Sequence, residues 1–351
     1  MIKTIGYAAR SNDAHMSPYH FERRDLRDND VAIEILYCGV CHSDLHTVNG
    51  DWGEQEYPLI PGHEIVGRVI ATGAEVKNYK VGDNVAVGCM VDSCQDCDQC
   101  EKSNEQYCRN GFTATYGSPD RITEEVTQGG YSKHIVVREE FVLRVPDKMD
   151  MARTGPILCA GVTTYSPLKE WNIGKGSRVG VIGLGGLGHM AVQLAVALGA
   201  EVTVISRSNK KEAEAKELSA KGILASTDEE AMEAAASSFD FILDTVPVKH
   251  DISLYAPLLD VDGTIVLVGQ VGPLDETMTP PFIFGRRRMA GSLIGGIKET
   301  QEVLDFCAEK GIYPKCKMIE AREINDAYQT LAKGDIAHRF VIDMASMDKA
   351  A

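Results

Sequence analysis

Four cysteines lie within one short polar segment, and their spacing is a strong sign of metal binding. They are separated as Cys-x2-Cys-x2-Cys-x7-Cys, in a stretch without the periodicity of a helix or a strand. Four thiolates in one loop can close a tetrahedron around zinc and leave no position for a substrate, so the pattern predicts a structural zinc site. An iron–sulfur cluster is the competing interpretation, but the spacing matches neither common ferredoxin run. The predicted ligands are Cys94, Cys97, Cys100 and Cys108.

A glycine-rich stretch between residues 183 and 188 suggests a different chemistry. Three of its glycines fit the spacing G-x-G-x-x-G, which permits a tight turn, close approach of the backbone to a pyrophosphate and close packing of a helix on a strand. The stretch follows a strand-like run at 178–182, opens a helix-like run at 189–198 and precedes a second strand-like run at 201–205. This βαβ context predicts a dinucleotide site. Its residues are Gly183, Leu184, Gly185, Gly186, Leu187 and Gly188.

The residues that follow the second strand indicate which dinucleotide binds. A site for NAD usually places an acid about 20 residues beyond the glycines, where it bonds the ribose 2′-hydroxyl. No acid stands at the corresponding strand end here; hydroxyl and cationic side chains occupy it instead. Such side chains suit a 2′-phosphate, so the segment predicts NADP(H). The candidate contacts are Ser206, Arg207, Ser208 and Lys211.

Two further cysteines and a histidine have the composition of a catalytic zinc set. Cys41, His63 and Cys159 would supply two thiolates and one imidazole and leave one position open, which is a known catalytic arrangement. Taken singly, each residue has an ordinary structural explanation, since a buried cysteine usually behaves as a small hydrophobe. Composition and spacing alone do not unite them.

These residues must be held by two kinds of architecture. Up to about residue 150 the chain has short β-type runs with dense turn signals, which predict a barrel-like β domain. Strand-like and helix-like runs then alternate, which predicts a doubly wound parallel sheet and an α/β fold class. We therefore expect a metal-binding domain at 1–154, completed by a tail at 296–351, and a dinucleotide-binding domain at 155–295.

Composition excludes some classes of function. The 351 residues are 44% hydrophobic and 25% charged, as in ordinary globular proteins, and no apolar run reaches the length of a membrane span. A formal charge of −15 disfavours nucleic acid as a partner. The first residues lack the pattern of a secretory signal, so we expect a cytoplasmic protein with neither membrane nor nucleic-acid partners.

Several motifs, in this order along the chain, resemble the zinc-dependent medium-chain alcohol dehydrogenases. More narrowly, they are similar to the NADP-dependent cinnamyl-alcohol-dehydrogenase group, which includes microbial aldehyde reductases. The resemblance covers essentially the whole chain and includes the glycine turn and the four-cysteine loop. The other motifs are Gly39-Val40-Cys41-His42-Ser43-Asp44, Tyr57-Pro58-Leu59-Ile60-Pro61-Gly62-His63-Glu64, Val81-Gly82-Asp83, Gly129-Gly130-Tyr131-Ser132, Cys159-Ala160-Gly161-Val162-Thr163 and Arg339-Phe340-Val341.

The resemblance implies a role for each residue of the scattered set. Cys41, His63 and Cys159 become catalytic zinc ligands, and Glu64 lies behind the metal, where it can ligate transiently. Asp44 would fix the tautomer of His63. The remaining implied roles belong to proton transfer and cofactor binding. Ser43 contacts the substrate oxygen, His46 continues the proton path, and His42, Thr163 and Arg339 contact the cofactor.

The implied fold is a GroES-like β-rich catalytic domain plus a Rossmann domain. The implied reaction is hydride transfer between NADP(H) and a primary alcohol/aldehyde pair, aromatic or medium aliphatic, with two zinc ions per chain. Family habit favours a homodimer. The alternatives are an NADP-dependent polyol dehydrogenase and a non-catalytic zinc-binding scaffold.

Overall fold

The computed structural model describes residues 1–13, 15–269, 272–334 and 338–349, and the chain folds into two compact units. The first comprises Met1–Cys159 with Gly295–Ala351, and the second comprises Ala160–Ile294. Cys159 thus groups with the first unit, although the division expected from sequence placed it in the dinucleotide-binding part. Within the described residues, no helix combines the length and apolar character needed to cross a membrane.

The strands and helices are numbered in chain order. The strands are β1 (Ile2–Ala9), β2 (Met16–Arg23), β3 (Asp30–Val40), β4 (Ile65–Thr72), β5 (Asn84–Val87), β6 (Met90–Asp92), β7 (Thr113–Ala114), β8 (His134–Arg138), β9 (Leu143–Arg144), β10 (Arg178–Ile182), β11 (Glu201–Ser206), β12 (Gly222–Ala225), β13 (Phe239–Asp244), β14 (Leu259–Leu267), β15 (Arg288–Gly291), β16 (Cys316–Glu320) and β17 (Arg339–Asp343). The α-helices are α1 (His42–Asn49), α2 (Asp98–Glu101), α3 (Met151–Thr154), α4 (Ala160–Glu170), α5 (Gly186–Ala197), α6 (Glu212–Glu217), α7 (Glu229–Ala234), α8 (Pro280–Gly285), α9 (Ile297–Lys310) and α10 (Ile324–Ala332).

The first unit is built on a seven-stranded sheet of order β16-β17-β3-β4-β5-β9, with β8 also paired to β3. The central strand β3 is largely buried and pairs antiparallel with β4, β8 and β17. Strand β17 comes from the chain tail, so the last residues return to the first unit. This sheet delivers three site segments to one region: the end of β3, the start of β4 and the start of β17.

The second unit is a six-stranded, fully parallel sheet of order β12-β11-β10-β13-β14-β15. Its central strands are mostly apolar and buried, as expected where helices cover both faces of a sheet. Ile182, Ile205, Ile242 and Ile265, from four adjacent strands, belong to one buried cluster. The strand order reverses between β10 and β13, which is where ligands bind in open parallel sheets. The predicted α/β class with a doubly wound sheet is confirmed.

Two local predictions differ from the structure. Helix α5 begins at Gly186, before the expected 189, because the glycine turn itself supplies its first turn. The cysteine segment, expected to be a plain loop, contains α2 and a 3-10 turn at Glu105–Tyr107. Cys97 caps α2 and Cys100 lies one helical turn later, and the 3-10 turn ends at Cys108.

The loop after β13 is held by one buried carboxylate. Asp244 accepts a hydrogen bond from the backbone N–H of Val246 at 3.0 Å, and its other oxygen lies 2.9 Å from Nε2 of His250. The Asp244 hydrogen bond, opposed by burial, raises the pKa of His250 above its ordinary value. Thr245, in the same loop, donates through its hydroxyl to the carbonyl of Ile182 at 2.7 Å. The loop is thereby tied to the strand that precedes the glycine turn.

This ion pair predicts a pH-dependent contribution to stability. Because the folded-state pKa of His250 is raised, its contribution is fully present below the unfolded value of about 6.5 and is lost as pH rises through the folded value. We expect His250→Gln to lower the free energy of unfolding by ~1 kcal/mol at pH 5.5, an amount discounted for solvent screening, and by less at pH 9. Urea unfolding of parent and variant at both pH values measures this, and an equal loss at both would contradict it.

Candidate functional site

The buried carboxylate of Asp44 organises the first site. Helix α1 starts after Cys41, and Asp44, three residues on, accepts from the Cys41 backbone N–H at 2.9 Å, which closes a capping box. The same carboxylate accepts from the backbone N–H of Gly62 at 3.1 Å and from the hydroxyl of Tyr131 at 3.0 Å. It also accepts from Nδ1 of His63 at 3.0 Å. Because Nδ1 is occupied, the free nitrogen of His63 is Nε2.

Four potential ligands converge beside this carboxylate. One ligand atom from each of Cys41, His63, Glu64 and Cys159 can be chosen so that all lie within 4.8 Å of one another, and all four residues are buried. The sulfurs of Cys41 and Cys159 are 3.9 Å apart. In a tetrahedral zinc site with Zn–S bonds of about 2.3 Å, two sulfurs stand about 3.8 Å apart, so the donor set fits zinc. The hydrogen bond between the two thiols holds the pKa of Cys41 well below its usual range and that of Cys159 well above it, so Cys41 is the one of the pair that favours the thiolate without a metal.

The carboxylate of Glu64 pairs with Arg339, and this pairing competes with binding to a metal. Its Oε1 accepts from the guanidinium of Arg339, while its Oε2 has no hydrogen-bond partner among the described residues. Burial raises the pKa of Glu64 to about 7 although the Arg339 charge opposes this. Gly39 makes room for the carboxylate, because a Cβ there would lie 1.8 Å from Glu64 Oε2. Arg339, whose resemblance-implied role was cofactor contact, is thus engaged inside the first unit.

The residues expected to handle the proton lie on α1. Ser43 Oγ is 3.6 Å from the sulfur of Cys41, so it borders the ligand group. His46 is partly exposed, with Nδ1 2.8 Å from Asp51 and its ring stacked on Trp52 at 5.3 Å. No direct hydrogen bond joins Ser43 to His46 among the contacts of these two described residues. His42 bonds the backbone carbonyl of Leu331 through Nε2 at 3.0 Å, and burial lowers its pKa.

The four-cysteine loop forms a second, closed ligand group. Its four sulfurs all lie within 4.8 Å of one another, with separations of 3.9 Å for Cys94–Cys100, 3.6 Å for Cys97–Cys100 and 3.4 Å for Cys94–Cys108. These are tetrahedral spacings for zinc. The backbone N–H of Arg109, followed by that of Cys100, lowers the pKa of Cys97 to about 6. Four thiols fill every position, so such a site has no place for a substrate.

The dinucleotide candidates lie in the second unit, at the end of β10. Gly183 has a φ of +87°, which permits the sharp turn, and a Cβ at Gly188 would lie 2.2 Å from the Gly183 carbonyl oxygen. A Cβ at Gly185 would meet nothing within 4 Å, so internal packing does not require this glycine. Space beside the backbone at the start of α5 fits the approach of a phosphate. Leu184, Gly186 and Leu187 complete the turn, and Thr163 lies buried in α4.

The predicted 2′-phosphate contacts surround the end of β11. Arg207 is exposed, while Ser206, Ser208 and Lys211 are half-buried. Lys211 donates to the carbonyl of Leu184 at 3.2 Å, so it reaches back to the glycine turn. The structure therefore brings this segment and the glycine turn together.

Sequence reasoning missed three side chains at the first site. Cys89 hydrogen-bonds Cys159, which lowers the Cys89 pKa, and the ring of Tyr116 stacks on His63 at 5.8 Å. Tyr131, quoted only as part of a motif, is the hydroxyl donor to Asp44. Each is distant in sequence from the residue it contacts, so no local spacing could have signalled these contacts.

Known proteins are similar to this chain over its whole length. The Alcohol dehydrogenase GroES-like domain family matches residues 27–147, and the Zinc-binding dehydrogenase family matches residues 186–309. The chain is 48% identical to NADP-dependent alcohol dehydrogenase C of Mycobacterium bovis, over 99% of this chain and 100% of that protein. It is 49% identical to the aldehyde reductase YahK of Escherichia coli, over 97% of this chain and 98% of that one. The solved cinnamyl alcohol dehydrogenase of Sorghum bicolor superposes with a TM-score of 0.94 at 42% identity and covers 98% of both chains.

The four-cysteine group predicts a zinc that contributes to folding. We expect Cys100→Ser to lose one zinc per chain and to lower the unfolding temperature, because structural zinc contributes folding free energy directly. Cys316→Ser, at a half-buried cysteine outside both ligand groups, is the control and should keep the parent's metal content. Elemental analysis of the purified proteins gives the answer. Two zinc ions per parent chain are expected, and iron, or a single zinc in a fully active parent, would contradict the two-site assignment.

Proposed function

We propose a specific chemistry for this chain, which belongs to the zinc-dependent medium-chain alcohol dehydrogenases of the cinnamyl-alcohol-dehydrogenase-like group. It is an alcohol dehydrogenase and aldehyde reductase that transfers a hydride between NADP(H) and a primary alcohol/aldehyde pair. We assign it one catalytic and one structural zinc per chain. Aromatic and medium aliphatic aldehydes are the proposed substrates, and reduction is the proposed direction in the cell.

The convergence of Cys41, His63 and Cys159 carries the proposal. Two thiols and one imidazole nitrogen are held together, and the tautomer of His63 is fixed by Asp44. Such a set leaves one metal position open, which distinguishes a catalytic site from the closed four-cysteine group. We assign these three residues as catalytic ligands and Glu64 as a carboxylate that can exchange between Arg339 and the metal.

When bound, zinc supplies a Lewis acid that makes the alcohol proton more acidic and the aldehyde carbonyl more reactive, and NADP(H) supplies the hydride carrier. Ser43 is assigned to pass on the proton of the substrate oxygen, since its hydroxyl borders the ligand group. A hydroxyl cannot store that proton near neutral pH, whereas an imidazole can. His46, which is partly exposed and oriented by Asp51, is assigned to exchange it with solvent. Because no direct hydrogen bond joins Ser43 to His46, proton transfer between them would need a bridging water.

The cofactor assignment rests on the second unit. The glycine turn offers backbone N–H groups and the positive end of α5 to the pyrophosphate. Ser206, Arg207, Ser208 and Lys211 are assigned to the 2′-phosphate, because an arginine and hydroxyls bind phosphate where a carboxylate would repel it. Thr163, His42 and Arg339 are assigned as further cofactor contacts from the resemblance. Relatives named as NADP-dependent support this assignment.

We further propose a cytoplasmic homodimer. All ten cysteines are free thiols, the state expected in a reducing compartment. Strand β15 forms one edge of the parallel sheet, and exposed apolar side chains lie near it in sequence, among them Phe284 at 88% exposure. An edge strand with apolar neighbours is a template for pairing with a second copy. A monomer in sedimentation velocity would contradict the dimer.

Loss of one catalytic ligand tests the reaction. We expect Cys159→Ala to slow aldehyde reduction by about a thousandfold or more, since the metal's contribution to the transition state amounts to several kcal/mol. NADPH affinity should survive, because the assigned dinucleotide residues are different ones. Cys307→Ala, at an equally buried cysteine in α9, should retain activity. Initial rates over a panel of aldehydes measure the reduction, and a fluorescence titration with NADPH measures the affinity. Normal turnover by Cys159→Ala would exclude Cys159 as a catalytic zinc ligand.

Two substitutions that make the end of β11 more negative test the preference for NADPH over NADH. Ser206→Asp combined with Arg207→Ala places a carboxylate where the 2′-phosphate is assigned and removes a cation. We expect the ratio of kcat/KM for NADPH over NADH to fall by about 10- to 100-fold, the range for a hydrogen bond to a charged group. Lys216→Ala, a cation on α6 already paired with Glu212, is the control and should keep the parent ratio. If the double variant kept full NADPH preference, the discrimination would lie elsewhere.

A further inference from the structure

The second unit contains a buried histidine–glutamate pair that the assigned chemistry does not use. We propose that His189 and Glu214 form a positioning pair that fixes the distance between the glycine turn and the segment 206–211, and so sets the preference for a 2′-phosphorylated dinucleotide. The inference rests on the NADP(H) assignment proposed above and concerns how the chain enforces it.

Both nitrogens of the His189 ring are engaged, each by a different element. Nδ1 donates to the carbonyl oxygen of Gly185 at 2.8 Å, and the His189 backbone N–H donates to the same oxygen at 2.9 Å. Nε2 lies 2.9 Å from the carboxylate of Glu214 on α6. The His189 side chain is 4% exposed and that of Glu214 is 20% exposed. A packing role alone would require neither hydrogen bond, and an apolar side chain would fill the same space.

The pair joins the two halves of the assigned cofactor site. Gly185 is the glycine at which a Cβ would meet open space, and its carbonyl oxygen is held by the ring of His189. Helix α6 begins directly after segment 206–211, so Glu214 anchors the end of that segment. Lys211 makes a second connection to the turn, through the carbonyl of Leu184.

The opposite flank of the segment is fixed independently. The hydroxyl of Thr227 donates to the carbonyl of Arg207 at 2.8 Å, and the backbone N–H of Ser226 donates to the carbonyl of Ser206 at 2.7 Å. The start of the segment is therefore held by the residues that follow β12, and its end is joined to the glycine turn through Lys211 and the His189–Glu214 pair. Loss of the His189–Glu214 contact would remove a side-chain connection between the end of the segment and the glycine turn.

A fixed spacing matters because the ligand is anchored at two phosphates. The 5′-side phosphate is assigned to the turn and the 2′-phosphate to the segment, and the adenosine between them is nearly rigid. Hydrogen bonds to phosphate weaken steeply when distance or angle departs from the optimum, and a preorganised pair of anchors avoids an ordering cost on binding. A less rigid spacing between the two phosphate sites should therefore weaken the binding of a ligand with both phosphates more than that of a ligand with one.

The test compares two small probes on the whole protein. Adenosine 2′,5′-bisphosphate carries both phosphates and adenosine 5′-monophosphate carries one, and calorimetry gives both dissociation constants without any turnover. The variants are His189→Leu, Glu214→Ala, the double variant, Glu214→Gln, and the control Glu212→Ala on the same helix. Glu212 is paired with Lys216 on α6 and takes no part in the His189–Glu214 contact.

We expect His189→Leu and Glu214→Ala each to reduce the preference for the bisphosphate by about five- to tenfold, the worth of one or two hydrogen bonds. The double variant should lose little more of this preference than either single variant, because each single substitution already removes the same contact. Glu214→Gln retains an acceptor for His189 and should keep most of the preference, as should Glu212→Ala.

Two results would overturn the inference. One is an equal loss of affinity for both probes together with a lower unfolding temperature, which would mean that the pair stabilises the fold in general and does not set the preference. The other is an unchanged preference in every variant. A parent that binds both probes equally would instead refute the NADP(H) assignment itself, and with it the preference that the pair is inferred to set.

Discussion

The metal-binding region of the first unit depends on a single buried anion. Asp44 accepts four hydrogen bonds, from Cys41, Gly62, His63 and Tyr131, and is fully shielded from solvent. A buried carboxylate is costly unless its oxygens are satisfied, so these donors must be in place whenever the chain is folded. The hydrogen bond from Cys41 caps the start of α1, directly after this ligand, and the hydrogen bond from His63 orients the imidazole ring of that second ligand. Ligand geometry is thus enforced by the requirement to solvate a charge, before any metal binds.

Close backbone approach is the second constraint. Gly39 on β3 and Gly155 near α3 both lie against Glu64: added Cβ atoms would come within 1.8 Å of its Oε2 and 2.6 Å of its carbonyl oxygen. Side chains at either position would push β3, or the segment that carries Cys159, away from the start of β4. The site is therefore defined as much by the absence of atoms at two glycines as by the ligands that surround them.

These features differ in how far they could be predicted from the sequence. The cysteine loop and the glycine turn are local, and their periodicity and spacing were enough to predict a metal group and a βαβ unit. The set of Cys41, His63 and Cys159 is not local; only resemblance to a family united it, because no spacing rule links β3, β4 and a segment more than a hundred residues on. The Glu64–Arg339 pair depends on the sheet register, which pairs β17 with β3 and β3 with β4. Register follows from tertiary packing, so it could not be derived from these segments one at a time.

The pairing of the tail strand β17 with β3 has a consequence for the order in which the protein matures. The four thiols of the closed loop are all present once residue 108 has been synthesised, and closing so short a loop costs little entropy, so zinc can enter there early. That early capture also protects four cysteines from oxidation while the rest of the chain is made. Glu64, by contrast, is buried against the guanidinium of Arg339, which is synthesised 275 residues later. Until then the carboxylate of Glu64 lacks this partner, so the second ligand group is completed by its surroundings later than the four-cysteine loop.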